Sequence, residues 1–371
     1  MRSRLTPNSN VLITGMTGLI GGEIYRRLAA RSHRGSVWAL VRATDERNAD
    51  QRVCDRLARS GDFDLPESQF SSVVGDIVQP DWGLSGPVRD EITATVDIII
   101  HNAADTSFVA HRDTARTNVE GIERLIEFAR TCRRQPLIAY MSTASNVGRV
   151  SGLCLAEDDG CRPDNDHFNE YTHSKAVGEQ ALLKSGLPAL VLRPTIVLPA
   201  GLPDPVFARQ ILWCAPITRV FEALPVNAAS RLDVVDVGFV AEATLRLLEA
   251  EERAYDCYHL SAGVGGSVTL GQLAKIVEKH LDRTSPIQLI PPEEWTRSVH
   301  REFVRTPLQR RIFRSLRHYL PFMNMDVVYD DARFRSVVGT AELPILPTAT
   351  YFRNLLRLIR PKAALREAAI P

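Results

Sequence analysis

A parallel, doubly wound α/β sheet with a smaller, mostly helical C-terminal substrate-binding lobe is the fold that this 371-residue chain predicts. In the first half, near-continuous apolar runs alternate with stretches of helical spacing, the pattern of parallel strands covered on both faces by crossover helices. The first apolar run passes through Gly15-Met-Thr-Gly18-Leu-Ile-Gly21 directly into a helical pattern. After about Pro194 proline becomes frequent and strands become sparse, which marks a second region.

The strand-like runs are Asn10–Thr14, Ser36–Val41, Ser71–Gly75, Asp97–His101, Leu137–Ser142 and Ala189–Arg193. Apolar residues at helical spacing fill Leu19–Arg31, Asp50–Arg59, Arg112–Thr131 and Tyr171–Lys184. Residues 8–195 therefore read as a Rossmann-type dinucleotide-binding domain. Elements near 231–261 return to its sheet, namely Arg231–Val235 and Tyr258–Ser261. Residues 196–297 form the interleaved lobe. Residues 298–371 read as a C-terminal extension with two basic amphipathic segments, Arg301–Leu320 and Tyr351–Arg366.

Bulk properties exclude several classes. Lys and Arg total 45 against 44 Asp and Glu, so the chain lacks the global positive field that gathers nucleic acid. Six cysteines show neither CxxC pairs nor His partners at metal-ligand spacing, and read as reduced thiols of a cytoplasmic protein without a metal. The N-terminus carries no apolar targeting stretch, and nothing approaches the roughly 18 consecutive apolar residues of a membrane span.

The glycine run carries the first chemistry. Within Thr14, Gly15, Thr17, Gly18, Leu19, Ile20 and Gly21, the first glycine permits a tight turn and the second lets backbone approach a pyrophosphate. The third lets helix and strand pack closely, and the helix N-terminus offers free amides to the anion. At the end of the second strand stands Val41-Arg42-Ala43, with Arg52 ten residues on, where an acidic residue would grip ribose hydroxyls. A guanidinium suits a 2′-phosphate, so NADP(H) is the expected cofactor. Solvated surface arginines are the competing reading. Asp76 and Ile77 after the third strand could receive the adenine, and Asn102, Ala103 and Ala104 after the fourth could line the cofactor.

Tyr171 and Lys175 lie four apart on a helix and so share a face. An ammonium beside a phenol favours the phenolate, making Tyr171 a general acid for an oxygen that gains charge. Thr143, after the fifth strand, is positioned as a second donor to that oxygen. Ser142 is its rival, since strand alternation turns only one of the two inward. His101, His111 and His173 lack nucleophile or metal partners and read as structural or solvated. Phe207, Trp213 and Phe221 fill the lobe's core or line an apolar channel.

Further segments extend the pattern: Leu40-Val-Arg42-Ala, Gly75-Asp76-Ile77 with Trp82-Gly-Leu-Ser85, Ile100-His-Asn-Ala-Ala104, Thr117-Asn118-Val-Glu-Gly121 and Ser142-Thr143-Ala144. Arg193-Pro194-Thr195, Leu232-Asp233-Val-Val-Asp236 and Tyr258-His-Leu-Ser continue it. In this order they resemble the extended short-chain dehydrogenase/reductases, and within them the fatty acyl-CoA reductases and thioester reductase domains, over about residues 8–285. The chain departs from that family at Ser145-Asn146-Val147 and at Val234-Val235-Asp236, which lacks a proline.

The resemblance implies that Thr143, Tyr171 and Lys175 are catalytic and that Asn118 supports a water-linked proton path. It implies that Arg42 and Arg52 contact a 2′-phosphate and that Lys175, Pro194 and Thr195 join the cofactor contacts. The implied reaction is NADPH-dependent reduction of an acyl thioester to the aldehyde, with a second reduction to the alcohol left open. The thioester would be an acyl-CoA or one borne by an acyl or peptidyl carrier protein. No carrier domain precedes residue 8, so a carrier is expected in trans. The alternative reaction is that of an extended dehydrogenase on a ketone, secondary alcohol or nucleotide sugar. The basic C-terminal segments read either as contacts to an anionic membrane or acidic carrier, or as helices packed on the body.

Overall fold

Seven short apolar runs become the strands β1 (Val11–Thr14), β2 (Val37–Val41), β3 (Phe70–Val74), β4 (Ile98–His101), β5 (Leu137–Met141), β6 (Ala189–Pro194) and β7 (Cys257–Leu260). They form one parallel sheet in the order β7-β6-β5-β4-β1-β2-β3 in this computed structural model. It describes residues 4–59, 70–108, 112–199, 220–339 and 342–358. His111, Phe207, Trp213, Cys214 and the end of the segment predicted over 351–366 lie outside the described residues.

Burial explains why the central runs are largely apolar, while the edge strand β3 keeps an exposed Ser71. Along β1, Val11 and Ile13 pack in the cluster on one face, and Leu12 packs in the cluster on the other. Successive side chains of a strand point to opposite faces, so a strand covered on both sides has no polar position to spare. Helices α1 (Leu19–Ala29) and α2 (Glu46–Ala58) cover the first face together with α6 (Val237–Glu249). Helices α3 (Gly86–Thr95), α4 (Gly121–Thr131) and α5 (Glu170–Lys184) cover the second. The strand order reverses between β1 and β4, which opens a crevice beyond their carboxyl ends, where such sheets bind ligands.

Several boundaries differ from the sequence reading for identifiable reasons. The α2 helix begins at Glu46 because the Asp45 side chain accepts the Asn48 amide at 2.8 Å and caps it. The single helix predicted over 112–131 is divided by a π-helical turn, Arg116–Glu120, which contains Asn118. Of the two elements expected to return to the sheet, only 257–260 does so. Arg231–Leu232 pairs instead with Val268–Thr269, and Val234–Asp236 pairs with Ile196–Leu198. The element that does return beside them is α6, tied to α1 through Arg27 and Arg31, both bonded to Glu242.

The C-terminal segments are built into two cores. Val304, Leu316, Tyr351, Phe352, Leu355 and Leu356 are buried with Phe221, Leu232 and Leu273 in the lobe. The helix Ala332–Val338 instead buries Phe334 and Val338 in the sheet's first core, with the Phe334 ring 5.6 Å from that of Phe239. Their apolar stripes are thus covered by the body, which the basic flanks of these segments obscure in sequence.

Phe334 is fully buried, so Phe334→Ala is expected to destabilise the protein by about 3–5 kcal/mol. Chemical denaturation of the variant checks this, and near-wild-type stability would separate residues 332–338 from the sheet's core.

Candidate active site

At the carboxyl ends of β1, β4, β5 and β6 lies a cavity of about 590 Å³, within the usual range for sites holding small molecules. Every position predicted from sequence lines it except Thr14, Gly21 and Asn118. Those three act behind its wall.

The cradle depends on two close approaches. Gly15 has φ +69°, and a Cβ there would stand 2.6 Å from the Ala103 amide nitrogen. A Cβ on Gly21 would fall 2.3 Å from the Gly15 carbonyl oxygen. Only glycine allows β1, the turn and α1 to close against the end of β4. Asn102 Nδ2 donates to the Gly15 carbonyl at 3.3 Å, and the Ala103 amide donates to Thr14 Oγ1 at 3.1 Å. The Thr14 hydroxyl also meets His101 Nδ1 at 3.1 Å. Burial and then the Lys175 charge hold His101 down to about 3, so it is a neutral structural group.

Arg42 and Arg52 are exposed at the rim, and an Arg52 guanidinium nitrogen donates to the Arg42 carbonyl. One turn along α2, the buried Arg56 donates to the Gly18 and Leu19 carbonyls at 2.9 and 3.1 Å. Sequence reasoning missed Arg56, although its position four residues after Arg52 was a usable signal. Asp76 is held by its amide, which donates to the Trp82 carbonyl at 2.8 Å. Trp82 adopts φ +55° and stacks on Phe128 at 4.4 Å.

The geometry gives Ser142 and Thr143 different neighbours. Ser142 lines the cavity, and its Oγ donates to Glu179 at 2.5 Å. The Thr143 side chain lies close enough to the Tyr171 phenol to act on its acidity, and its oxygen accepts the Ser145 amide at 3.3 Å. Lys175 follows Tyr171 on α5, as the spacing predicts, but its ammonium donates to the Met141 carbonyl at 2.6 Å and sits 4.2 Å from the Tyr140 ring centre.

This corrects the electrostatic expectation for Tyr171. Burial raises the phenol to about 12, and the opposing influence is the Thr143 hydrogen bond. The same burial lowers Lys175 to about 7, against a partial restoring effect of Glu179. A phenol kept protonated is a proton donor, and an ammonium near its midpoint responds to small changes in field.

Asn118 sits behind the helix that carries this pair. Its side chain accepts the Asp105 amide at 2.8 Å and donates to the Asp105 carbonyl and Ser174 Oγ, each at 3.0 Å. In this arrangement it braces the loop after β4 against α5. Thr195 lines the cavity, and its hydroxyl donates to the buried Asp233 at 2.7 Å.

Over Tyr171 the cavity turns apolar. The Phe108 ring lies 5.8 Å from Tyr171, 5.0 Å from Tyr319 and 4.7 Å from Phe322. Ile196, Val197, Leu232, Val234, Met323 and Phe352 continue that wall into the lobe. Phe108 follows the Asn102–Ala104 motif by four residues, whereas residues 319–323 are far from the motifs in sequence and the fold brings them here. Among the described residues no group of His, Cys, Asp or Glu could hold a metal, and no helix is long and apolar enough to cross a membrane.

Residues 13–244 match the family model described as "Male sterility protein", an NAD-binding family. A Drosophila melanogaster protein named "Putative fatty acyl-CoA reductase" is 26% identical over 328 residues, covering 75% of this chain and 60% of that protein. A linear gramicidin synthase polypeptide of Brevibacillus parabrevis is 27% identical over 67% of this chain, which corresponds to 5% of its own length. The chain thus spans less than two thirds of either relative. The crystal structure of the terminal R domain from the myxalamid PKS-NRPS pathway superposes with a TM-score of 0.78 at 21% identity, covering 96% of this chain and 91% of that one.

Gly21→Ala places its methyl against the Gly15 carbonyl, and the turn must open. Dinucleotide affinity is expected to fall by at least about tenfold, or about 1.4 kcal/mol, with the fold retained; calorimetric titration with NADPH checks it, and unchanged affinity would remove this turn from the binding site.

Proposed function

The chain belongs to the male sterility protein family of NAD-binding proteins, and from that premise we propose that it is an NADPH-dependent reductase of an acyl thioester. The observation that carries the proposal is the continuity of one cavity. A glycine cradle lies at one end, the Tyr171–Thr143 pair in the middle and an apolar wall of lobe residues at the other. The cradle fits a dinucleotide because glycines at 15 and 21 let the turn close against the end of β4, which leaves the N-terminus of α1 facing the cavity. The rim fits a 2′-phosphate because Arg42 and Arg52 present guanidinium groups there, with no carboxylate among the lining residues on that strand end. The apolar wall fits an acyl chain, and the name of the Drosophila relative, a fatty acyl-CoA reductase, agrees with a thioester as its activated form.

Bound NADPH would supply the hydride that converts the thioester carbonyl to a hemithioacetal. Tyr171 donates its phenolic proton to the carbonyl oxygen, which becomes more basic than a phenolate as it gains charge. Thr143 holds the phenol and offers a second hydroxyl to that oxygen. Lys175, held by Met141 and Tyr140, places a positive charge beneath the pair. The hemithioacetal then breaks its carbon–sulfur bond, releasing the thiol and leaving the aldehyde. Phe108, Tyr319 and Phe322 keep water from the oxygen while charge develops there. Both coenzyme A and a carrier-borne arm suit this chemistry.

Three measurements test the proposal. Tyr171→Phe removes the proton donor while keeping the ring against Phe108, so turnover of long-chain acyl-CoA is expected to fall about 10²–10⁴-fold with NADPH affinity unchanged. Turnover at the wild-type rate would refute the role of Tyr171. Replacing both Arg42 and Arg52 by Ala is expected to weaken NADPH binding at least about tenfold and leave NADH binding unaltered, whereas equal losses for both cofactors would argue against a 2′-phosphate site. An assay panel of acyl-CoA thioesters beside ketones and UDP- or GDP-sugars separates this function from that of an extended dehydrogenase.

A further inference from the structure

Beneath the proton-donating set lies a buried ion pair that the reaction itself does not use. Glu179 and Arg193 expose 0% and 2% of their side chains. Arg193 donates to the Glu179 carboxylate through Nη2 at 2.5 Å and through Nε at 3.1 and 3.2 Å. The same carboxylate accepts Ser142 Oγ at 2.5 Å and Asn146 Nδ2 at 2.6 Å. We propose that Glu179 is the positioning residue of this site: its carboxylate fixes the strand end that carries Thr143 and provides the counter-charge for the Lys175 ammonium.

The first half of this role follows from the backbone. Ser142 and Asn146 bracket Thr143, and Glu179 grips both. With Ser142 turned toward Glu179, the extended chain turns the next side chain the opposite way, and Thr143 meets Tyr171. Asn146 belongs to the short helical turn Ala144–Val147 that Thr143 itself caps. Two points of attachment therefore set the Thr143 rotamer, although Glu179 touches neither Thr143 nor Tyr171.

The second half follows from counting charges. Glu179 lies one helical turn beyond Lys175 on α5. The titratable groups around this floor are Glu179, Arg193, Lys175, His101, Tyr140, Tyr171, Cys161 and Cys257. His101 is neutral, and burial raises the phenols and thiols into their neutral forms. Glu179 is thus the one anion among them, set against two cations. On the far side of Arg193, burial raises Glu157 to about 7 and lowers His259 to about 4, and the group that bears on the Lys175 charge is Glu179. Removing the Glu179 charge takes away the influence that holds the Lys175 ammonium up against its burial, and Lys175, already drawn down to about 7, is the group able to lose a proton. Arg193 also leads directly into Pro194 and Thr195 at the cavity wall, so one carboxylate links three segments of the site.

The inference rests on the reading of Thr143, Tyr171 and Lys175 as the proton-donating set, and its test reads Lys175 without turnover. The chain has five lysines, at 175, 184, 275, 279 and 362, so ¹³Cε resonances can be titrated individually, with Lys175→Arg assigning the one of interest. In full-length Glu179→Gln the Lys175 midpoint is expected to fall by about one pH unit or more, and Glu179→Asp is expected to restore it. The basic limb of the kcat profile should move to lower pH, because the ammonium is lost earlier as pH rises. At neutral pH, kcat is expected to fall at least about tenfold while NADPH affinity stays within about twofold.

If Glu179→Gln does not fold because Arg193 is left unpaired, the double variant Glu179→Gln, Arg193→Met removes both charges and carries the same expectation, since Glu179 is the charge that bears on Lys175. An unchanged Lys175 midpoint in a folded variant overturns the inference. A wild-type protein that reduces no thioester refutes the proposed function instead, and the lysine titration then still decides the role of Glu179 by itself.

Discussion

The structure depends on a backbone contact: Gly15, with φ +69°, pressed against the Asn102–Ala103 backbone and beneath Gly21. A side chain at Gly15 or Gly21 would push the first turn away from the end of β4. With the contact made, the N-terminus of α1 faces the crevice where the strand order reverses, and the ends of β1, β4, β5 and β6 converge on one cavity. Local glycine chemistry and sheet topology therefore specify the same place. Each alone is weak, since glycine turns are common and every doubly wound sheet has a switch point.

Around that place the chain buries ionisable groups and controls which of them carry charge. His101 and the surrounding phenols and thiols are held neutral by burial. Lys175 is brought near its titration midpoint at physiological pH by the same burial. Tyr171 is kept protonated by burial rather than made acidic by its neighbouring lysine. A donor of this kind gives up its proton only to an oxygen more basic than itself, which suits an alkoxide and does not suit a resting carbonyl. The buried pair Glu179–Arg193 is costly to desolvate and is satisfied by five hydrogen bonds within the pair and to Ser142 and Asn146.

Much of this arrangement was legible in the sequence. The first six sheet strands fell within a residue or two of their predicted ends, most of them because both faces are buried and the runs are nearly uninterrupted. The cradle was legible because its glycines, strand and helix follow one another without a gap. Thr143 and Ser142 could not be separated by composition, since the answer lies in Glu179, which is 37 residues from Ser142 along the chain. Glu179 itself, four residues beyond Lys175, repeats the spacing that drew attention to Tyr171 and Lys175. The apolar wall was not legible. Phe108 is more than 200 residues from Tyr319 and Phe322 along the chain, and no spacing in the sequence links the two segments. Likewise, Arg231–Val235 has the composition of a sheet strand, but its partners are the short strands of the lobe.

The most direct test of the account follows a label. Protein supplied with NADPH deuterated at the transferable position and a long-chain acyl thioester should yield an aldehyde or alcohol carrying deuterium at the former carbonyl carbon. Label that never reaches a thioester carbon, yet appears on a ketone or a sugar nucleotide in the same preparation, would contradict the account.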